Sequence, residues 1–168
     1  TDGVQSHTRT LWNLLSHYNV PTFIFVNKMD LPTKGEEFIM EDLRNNLSDG
    51  CISFAEKNEE FFEAAALCDN ELMDEFLENS SVSEESLIKA VNSRKIFPCV
   101  FGCALKNENV SSLIDIICRY TVQPLYADSF GARVYKISED EKGVRLAHLK
   151  ITGGSLDVKT LLSGEGWN

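Results

Sequence analysis

Apolar residues near the start of the chain recur at helical spacing. Val4, Leu11, Trp12 and Leu15 share one side with Thr8. Thr1, Asp2 and Gly3 supply start signals, and Pro21 halts the pattern. Residues 22–26, TFIFV, do not alternate. They are β-branched and aromatic, which predicts a strand apolar on both faces, as a helix-covered parallel sheet requires. Helical spacing returns in GEEFIMEDLRNNL, through Phe38, Ile39, Leu43 and Leu47. The run DNELMDEFLENSSVSEESLIKAVNSR reads as two helices broken near NSSVS. There Ser83, with Ser86 and the acidic Glu84 and Glu85, suits a new N-terminus. KIFPCVFGCA is a second apolar run, with Pro98 placed at its start and Gly102 at its end. NVSSLIDIICRY then resumes helical spacing through Val110, Leu113, Ile114 and Ile117, with Ser111 as the cap. Helix, strand, helices, strand, helix is the alternation of an open, doubly wound α/β sheet.

The texture changes after TVQPLYADS, where Gln123 and Pro124 read as a linker. GARVYKIS, the turn EDEKG, VRLAHLKI, the turn TGGS and LDVKTLL form a β-meander, as at the start of a small barrel. The expected organisation is an α/β domain over 1–122, a linker over 123–129, and a β-barrel segment over 130–168 that stops at Asn168 before closing. Unpaired strand edges would then leave residues beyond Phe130 mobile, or paired with a neighbouring copy in an edge-strand dimer.

Composition narrows the function classes. The formal charge of -10 argues against a free DNA binder, because phosphate contacts need a basic surface. It leaves room for docking on a large ribonucleoprotein through a local patch. No apolar run is long enough to span a membrane, and no charged-then-apolar leader opens the chain. Cys51, Cys68, Cys99, Cys103 and Cys118 form no C-x-x-C pair, and most sit among apolar residues. They read as reduced thiols of a cytoplasmic protein. The sequons at Asn46, Asn79 and Asn109 carry little weight without a secretory signal. His7, His17 and His148 read as surface or packing residues. The acidic run from Glu41 to Glu78 is read either as a non-catalytic module that binds a basic partner or as the solvated face of ordinary helices.

The chemistry lies at the strand ends. In open α/β sheets, ligands sit at the carboxyl ends of the strands. Asn27, Lys28 and Asp30 follow the first strand, and GCALK, residues 102–106, follows the second. Asp30 can accept two parallel hydrogen bonds, from a guanine ring N1–H and its exocyclic amino group; adenine offers no such donor pair. Asn27 can reach the base edge or tie the two loops together. The Lys28 stem can lie over the purine face. The Ala104 N–H can donate to the guanine carbonyl oxygen, and Leu105 can cover the base. N-K-x-D straight after a buried strand, with a C-A-L turn after the next, is a strong signal for guanine.

With those motifs, the chain resembles the translational GTPases, nearest to elongation factor G and the ribosomal protection proteins of tetracycline resistance. DGVQSHTRTLWNLL, VPTFIFVNKMD and GCALKNENVSSLIDII carry the resemblance, and GARVYKISEDEKGVRLAHLKITGGSL resembles the start of that family's second, β-barrel domain. The resemblance implies a partial P-loop-GTPase-type sheet that binds GTP or GDP. Asn27, Lys28 and Asp30 would form the guanine-binding tetrapeptide, and Cys103, Ala104 and Leu105 the second base-binding turn. Cys103 stands where the family often has serine. The short stretch between the two loops favours the ribosomal protection type over elongation factor G. The resemblance further implies a cytoplasmic, ribosome-bound parent that couples hydrolysis to release of tetracycline. No G-x-x-x-x-G-K-[ST] loop is present, nor a Mg²⁺-binding D-x-x-G turn with a catalytic histidine beside it. The chain is therefore expected to be a fragment that does not hydrolyse GTP, with its parent's Mg²⁺ ligands absent.

Overall fold

A computed structural model describes residues 3–162 of the 168. Thr1 and Asp2, read above as helix-start signals, and residues 163–168 of the expected barrel segment lie outside the described residues. The chain divides into two compact units, Thr1–Val122 and Gln123–Asn168.

The first unit is a three-stranded parallel sheet flanked by helices. Its elements in chain order are α1 (Ser6–His17), β1 (Ile24–Val26), α2 (Glu36–Asn46), β2 (Cys51–Ser53), α3 (Glu59–Ala66), α4 (Asn70–Asn79), α5 (Glu84–Asn92), β3 (Phe97–Phe101) and α6 (Val110–Tyr120). The strand order is β1-β3-β2, so β3 is central and all five of its residues are buried. Alternate residues of β3 serve opposite faces. Phe97, Cys99 and Phe101 pack with Ile39, Met40 and Leu43 of α2 and with Trp12 of α1. The other face gathers Ile52 of β2, Phe54 just after it, and Phe61, Leu72, Leu87, Val91 and Tyr120 from α3, α4, α5 and α6. Trp12 meets Phe97 edge-on at 4.5 Å between ring centroids.

Several local expectations change. The strand β2 was hidden inside the acidic run, where CIS is too short to show a period. In the fold, no carboxylate of the run is fully buried, while Leu43, Cys51, Ile52, Phe61, Ala65 and Leu72 are. It is thus woven into the core, as the solvated-face reading requires. The same run holds α3, which the sequence reading did not separate. The first strand begins at Ile24 rather than residue 22, and its residues are only half-buried. Pro98 is the second residue of the central strand, a position that normally excludes proline. Parallel pairing resolves this. Phe97 N–H bonds to Gly50 O on the β2 side at 2.8 Å, and Gly102 N–H to Val26 O on the β1 side at 3.0 Å. By alternation, the missing N–H of Pro98 faces Thr22, ahead of the first residue of β1. No ladder bond is lost.

Caps follow the side-chain chemistry. Asn58, Asp69 and Ser83 each accept a backbone N–H at the start of α3, α4 and α5. Ser83 was legible from sequence. Ser111, expected to cap α6, lies inside that helix; the cap position is Asn109, in left-handed backbone at φ 58°. Its side-chain amide donates to Phe101 O at 2.8 Å, so it fastens the helix to the end of β3.

The second unit is an antiparallel hairpin of β4 (Gly131–Glu139) and β5 (Arg145–Gly153). It pairs within the chain, so the strands beyond Phe130 do not need a neighbouring copy to satisfy their facing edges. Asp140 organises the turn: its Oδ1 accepts from Lys142 N–H and Val144 N–H, both at 2.8 Å. Residues 140–143 happen to read D-x-x-G, but they serve as this turn. Tyr135 is the bulged residue between Val134 and Lys136. His148 pairs with Ser138 Oγ at 2.8 Å. LDVKTLL, expected as a third strand, is not one; Thr160 N–H turns back onto Asp157 O instead.

Candidate functional site

Because β1 and β3 run parallel, their carboxyl ends emerge side by side. Met29 N–H donates to Gly102 O at 3.1 Å and Gly102 N–H to Val26 O at 3.0 Å, which extends the ladder past both strands into the two loops. Glycine is required at 102. A Cβ there would fall 2.4 Å from Glu108 O and 2.8 Å from Phe25 Cζ.

Asn27 holds the loops together. Its Oδ1 accepts Lys28 N–H at 2.8 Å and Ala104 N–H at 2.9 Å, the latter across 77 residues of sequence. Of the two roles open to Asn27, the structure displays the tie. The Ala104 N–H, expected to face a carbonyl oxygen of a base, donates here to Asn27. Lys28 is exposed and sits in left-handed backbone at φ 66°. Leu105 is 93% exposed, with an open apolar face at the loop tip.

The second loop is closed on itself. Cys103 N–H bonds to Glu108 O at 3.1 Å and Glu108 N–H returns to Cys103 O at 2.9 Å. Asn107, at φ 59°, lets its N–H reach Ala104 O. Cys103 is buried, and its side chain favours the charged form of the Asp30 carboxylate. Lys106 Nζ lies 3.2 Å from Asp30 Oδ2. The thiol and the ammonium together hold the Asp30 carboxyl below its ordinary range. Asp30 in turn raises Lys106. The carboxylate is therefore ionised and acceptor-only, as reading guanine requires.

All six residues read from sequence come to this one edge. Sequence reasoning gave no role to Lys106, Glu108 or Asn109, although a cation two residues after Ala104 was a signal that the loop could reach Asp30. Among the described residues, no group of three or more His, Cys, Asp or Glu gathers to hold a metal. No described helix is long and apolar enough to cross a membrane.

Comparisons with known proteins bear on the family and the fold. "Tetracycline resistance protein TetS" of Listeria monocytogenes is 26% identical over 176 residues, covering 94% of this chain and 28% of that protein. "Elongation factor G" of Ureaplasma urealyticum is 22% identical over 228 residues, covering 95% of this chain and 33% of that protein. The chain thus spans about a third of the length of the curated relatives it matches. A crystal structure from Thermus thermophilus superposes with a TM-score of 0.74 at 18% identity, over 91% of this chain and 30% of that one, and so shares the fold. The family described as the elongation factor Tu GTP binding domain matches residues 1–123, and this chain belongs to it.

Proposed function

We propose that Asn27, Lys28, Asp30, Cys103, Ala104 and Leu105 form the guanine-reading edge of a ribosome-associated translational GTPase of the tetracycline-protection type. The observation that carries this reading is the double grip of Asn27 Oδ1 on the N–H groups of Lys28 and Ala104. It sets an ionised carboxylate from one loop against the small residue of the other. Asp30 accepts the N1–H and amino group of guanine in one plane. Lys28 and Leu105 contribute apolar stem and side chain to the base faces. The nucleotide is GTP or GDP, and contact with this chain is confined to the base end, since the sequence contains no G-x-x-x-x-G-K-[ST] string.

The alignments support the protection type over elongation factor G. Nearly the same share of this chain needs 228 aligned residues against elongation factor G but only 176 against TetS. The longer alignment is opened by relative residues that have no counterpart here. The TetS-like reading places the longer protein on the cytoplasmic ribosome, where nucleotide state would be coupled to tetracycline release. No observation favours the rival, an acidic module without nucleotide.

Base selection tests the reading directly. Amide shifts of Asn27, Asp30 and Ala104 are followed by NMR during titration with guanosine, xanthosine and adenosine. Guanosine is expected to move them and adenosine not. In Asp30→Asn the preference should pass to xanthosine, with guanosine weakened by about 1–3 kcal/mol, the worth of one bidentate base contact. Unchanged guanosine affinity in Asp30→Asn would overturn the assignment.

A further inference from the structure

The contact at this edge that guanine recognition does not call for is the ion pair of Lys106 with Asp30. Lys106 does not hang from a loose loop. The reciprocal Cys103–Glu108 bonds and the Asn107-to-Ala104 closure make its backbone a tied turn. From that platform Nζ reaches Asp30 Oδ2 at 3.2 Å, and the Asp30 side chain is left 16% exposed while that of Lys106 is 54% exposed. An ionised carboxylate offers two oxygens. Here the ammonium takes one side. Guanine N1–H and its amino group need the same two oxygens in one plane. The two sets of donors compete for one acceptor.

We propose that Lys106 is an internal competitor for the guanine-reading carboxylate, so that this ion pair must open before the base can bind. The inference rests on the reading of Asp30 as the base acceptor. It assigns Lys106 a part in setting affinity, opposite in sign to a lysine that covers the base. Because the ion pair is screened by salt while the guanine base is neutral, binding of uncharged guanosine strengthens as salt rises. Removing the ammonium has the same effect at any salt. An exposed ion pair of this kind is modest, so the expected gain is about two- to five-fold.

The test compares the 168-residue chain with its Lys106→Met variant, which keeps an apolar stem. Two readouts are taken. One is the carboxyl ¹³C titration of Asp30 without ligand, which reports whether the ion pair exists in solution. The other is the initial slope of the Ala104 and Asp30 amide shifts with guanosine, at low and at high NaCl. Expected are a higher Asp30 titration midpoint in Lys106→Met, guanosine binding about two- to five-fold tighter, and loss of the salt response seen in the unaltered chain. Guanosine binding that is equal or weaker in the variant overturns the proposal and leaves the base-reading role standing. An Asp30 midpoint that does not respond to the substitution also overturns it. Absence of guanosine binding in both chains, with the Asp30 midpoint still responsive, overturns the base-reading role and the competition with it.

Discussion

Replacing Asn27 by alanine removes one acceptor and leaves two backbone donors without it. The Lys28 and Ala104 N–H groups bond to the same oxygen at 2.8 and 2.9 Å. Each residue is exposed, so water can replace the lost partner, and the low end of the hydrogen-bond range applies: about 0.5–1 kcal/mol each, or about 1–2 kcal/mol in all. For a chain of this size that corresponds to a melting shift of about 2–8 °C. The local effect should be larger than the global one. The tie joins loops 77 residues apart, while the Cys103–Glu108 bonds close the second loop without it. Asn27→Ala should therefore free the two loops from each other without dissolving either. Amide hydrogen exchange distinguishes the two levels. Protection of Ala104 should fall sharply, that of Glu108 should follow only the global loss, and that of the central strand residue Val100 should do likewise. Urea denaturation supplies the global figure. An Ala104 amide that exchanges as slowly in the variant as in the unaltered chain would refute the tie, whatever the stability change.

Three further outcomes follow from the same geometry. Gly102→Ala should cost about 1–3 kcal/mol and blunt the guanosine response, because its Cβ meets the Glu108 carbonyl and the Phe25 ring; a neutral urea midpoint would contradict that crowding. Ser83→Ala should cost about 1 kcal/mol by urea denaturation through loss of the α5 cap, and a cost no greater than that of an exposed surface serine would remove the cap from the account. Asp30, Asp69, Glu75 and Glu84 are all lowered, chiefly by Cys103, Lys95, Ser86 and Arg119 respectively. Folded values below unfolded ones mean stability that is fully present above the ordinary carboxylate range and lost as pH falls through the folded values, so urea midpoints should hold from about pH 7 to 5 and drop towards about pH 3, and a flat profile would show that these contacts do not persist in solution.

Much of this fold could be read in advance where the pattern was long. The helices over Glu36–Asn46, Asn70–Asn79 and Glu84–Asn92, and the buried run Phe97–Phe101, carry enough apolar positions to show a period. The strand Cys51–Ser53 has three residues, fewer than two full alternations, and it is flanked by charge on both sides. It exists because the exposed edge of β3 can bond there, a tertiary cause that no local window contains. Residues 156–162 failed in the opposite way. Leu156 and Val158 alternate well enough for a strand, but the segment pairs with neither outer edge of the β4-β5 sheet, and Thr160 N–H turns back onto Asp157 O. Residue preference alone points to Ser111 as the cap. Asn109 prevails because it tolerates left-handed backbone and its amide can reach the carbonyl of Phe101.

The site was more legible than the scaffold for a reason that lies in parallel topology. Parallel strands place all their carboxyl ends on one edge. Two loops that each follow a buried strand must then emerge on the same side, however far apart they are in sequence. Only the pairing of β1 with β3 had to be right for Asn27 to meet Ala104; had β2 stood between them, the roughly 4.8 Å strand spacing would have doubled and a side-chain amide could not have bridged it. What topology could not reveal is which donors meet Asp30 once the loops are adjacent. That depends on the closed turn at Cys103–Glu108, which brings a lysine down onto the carboxylate. The edge is therefore set by strand order, and the cation that meets Asp30 by the turn.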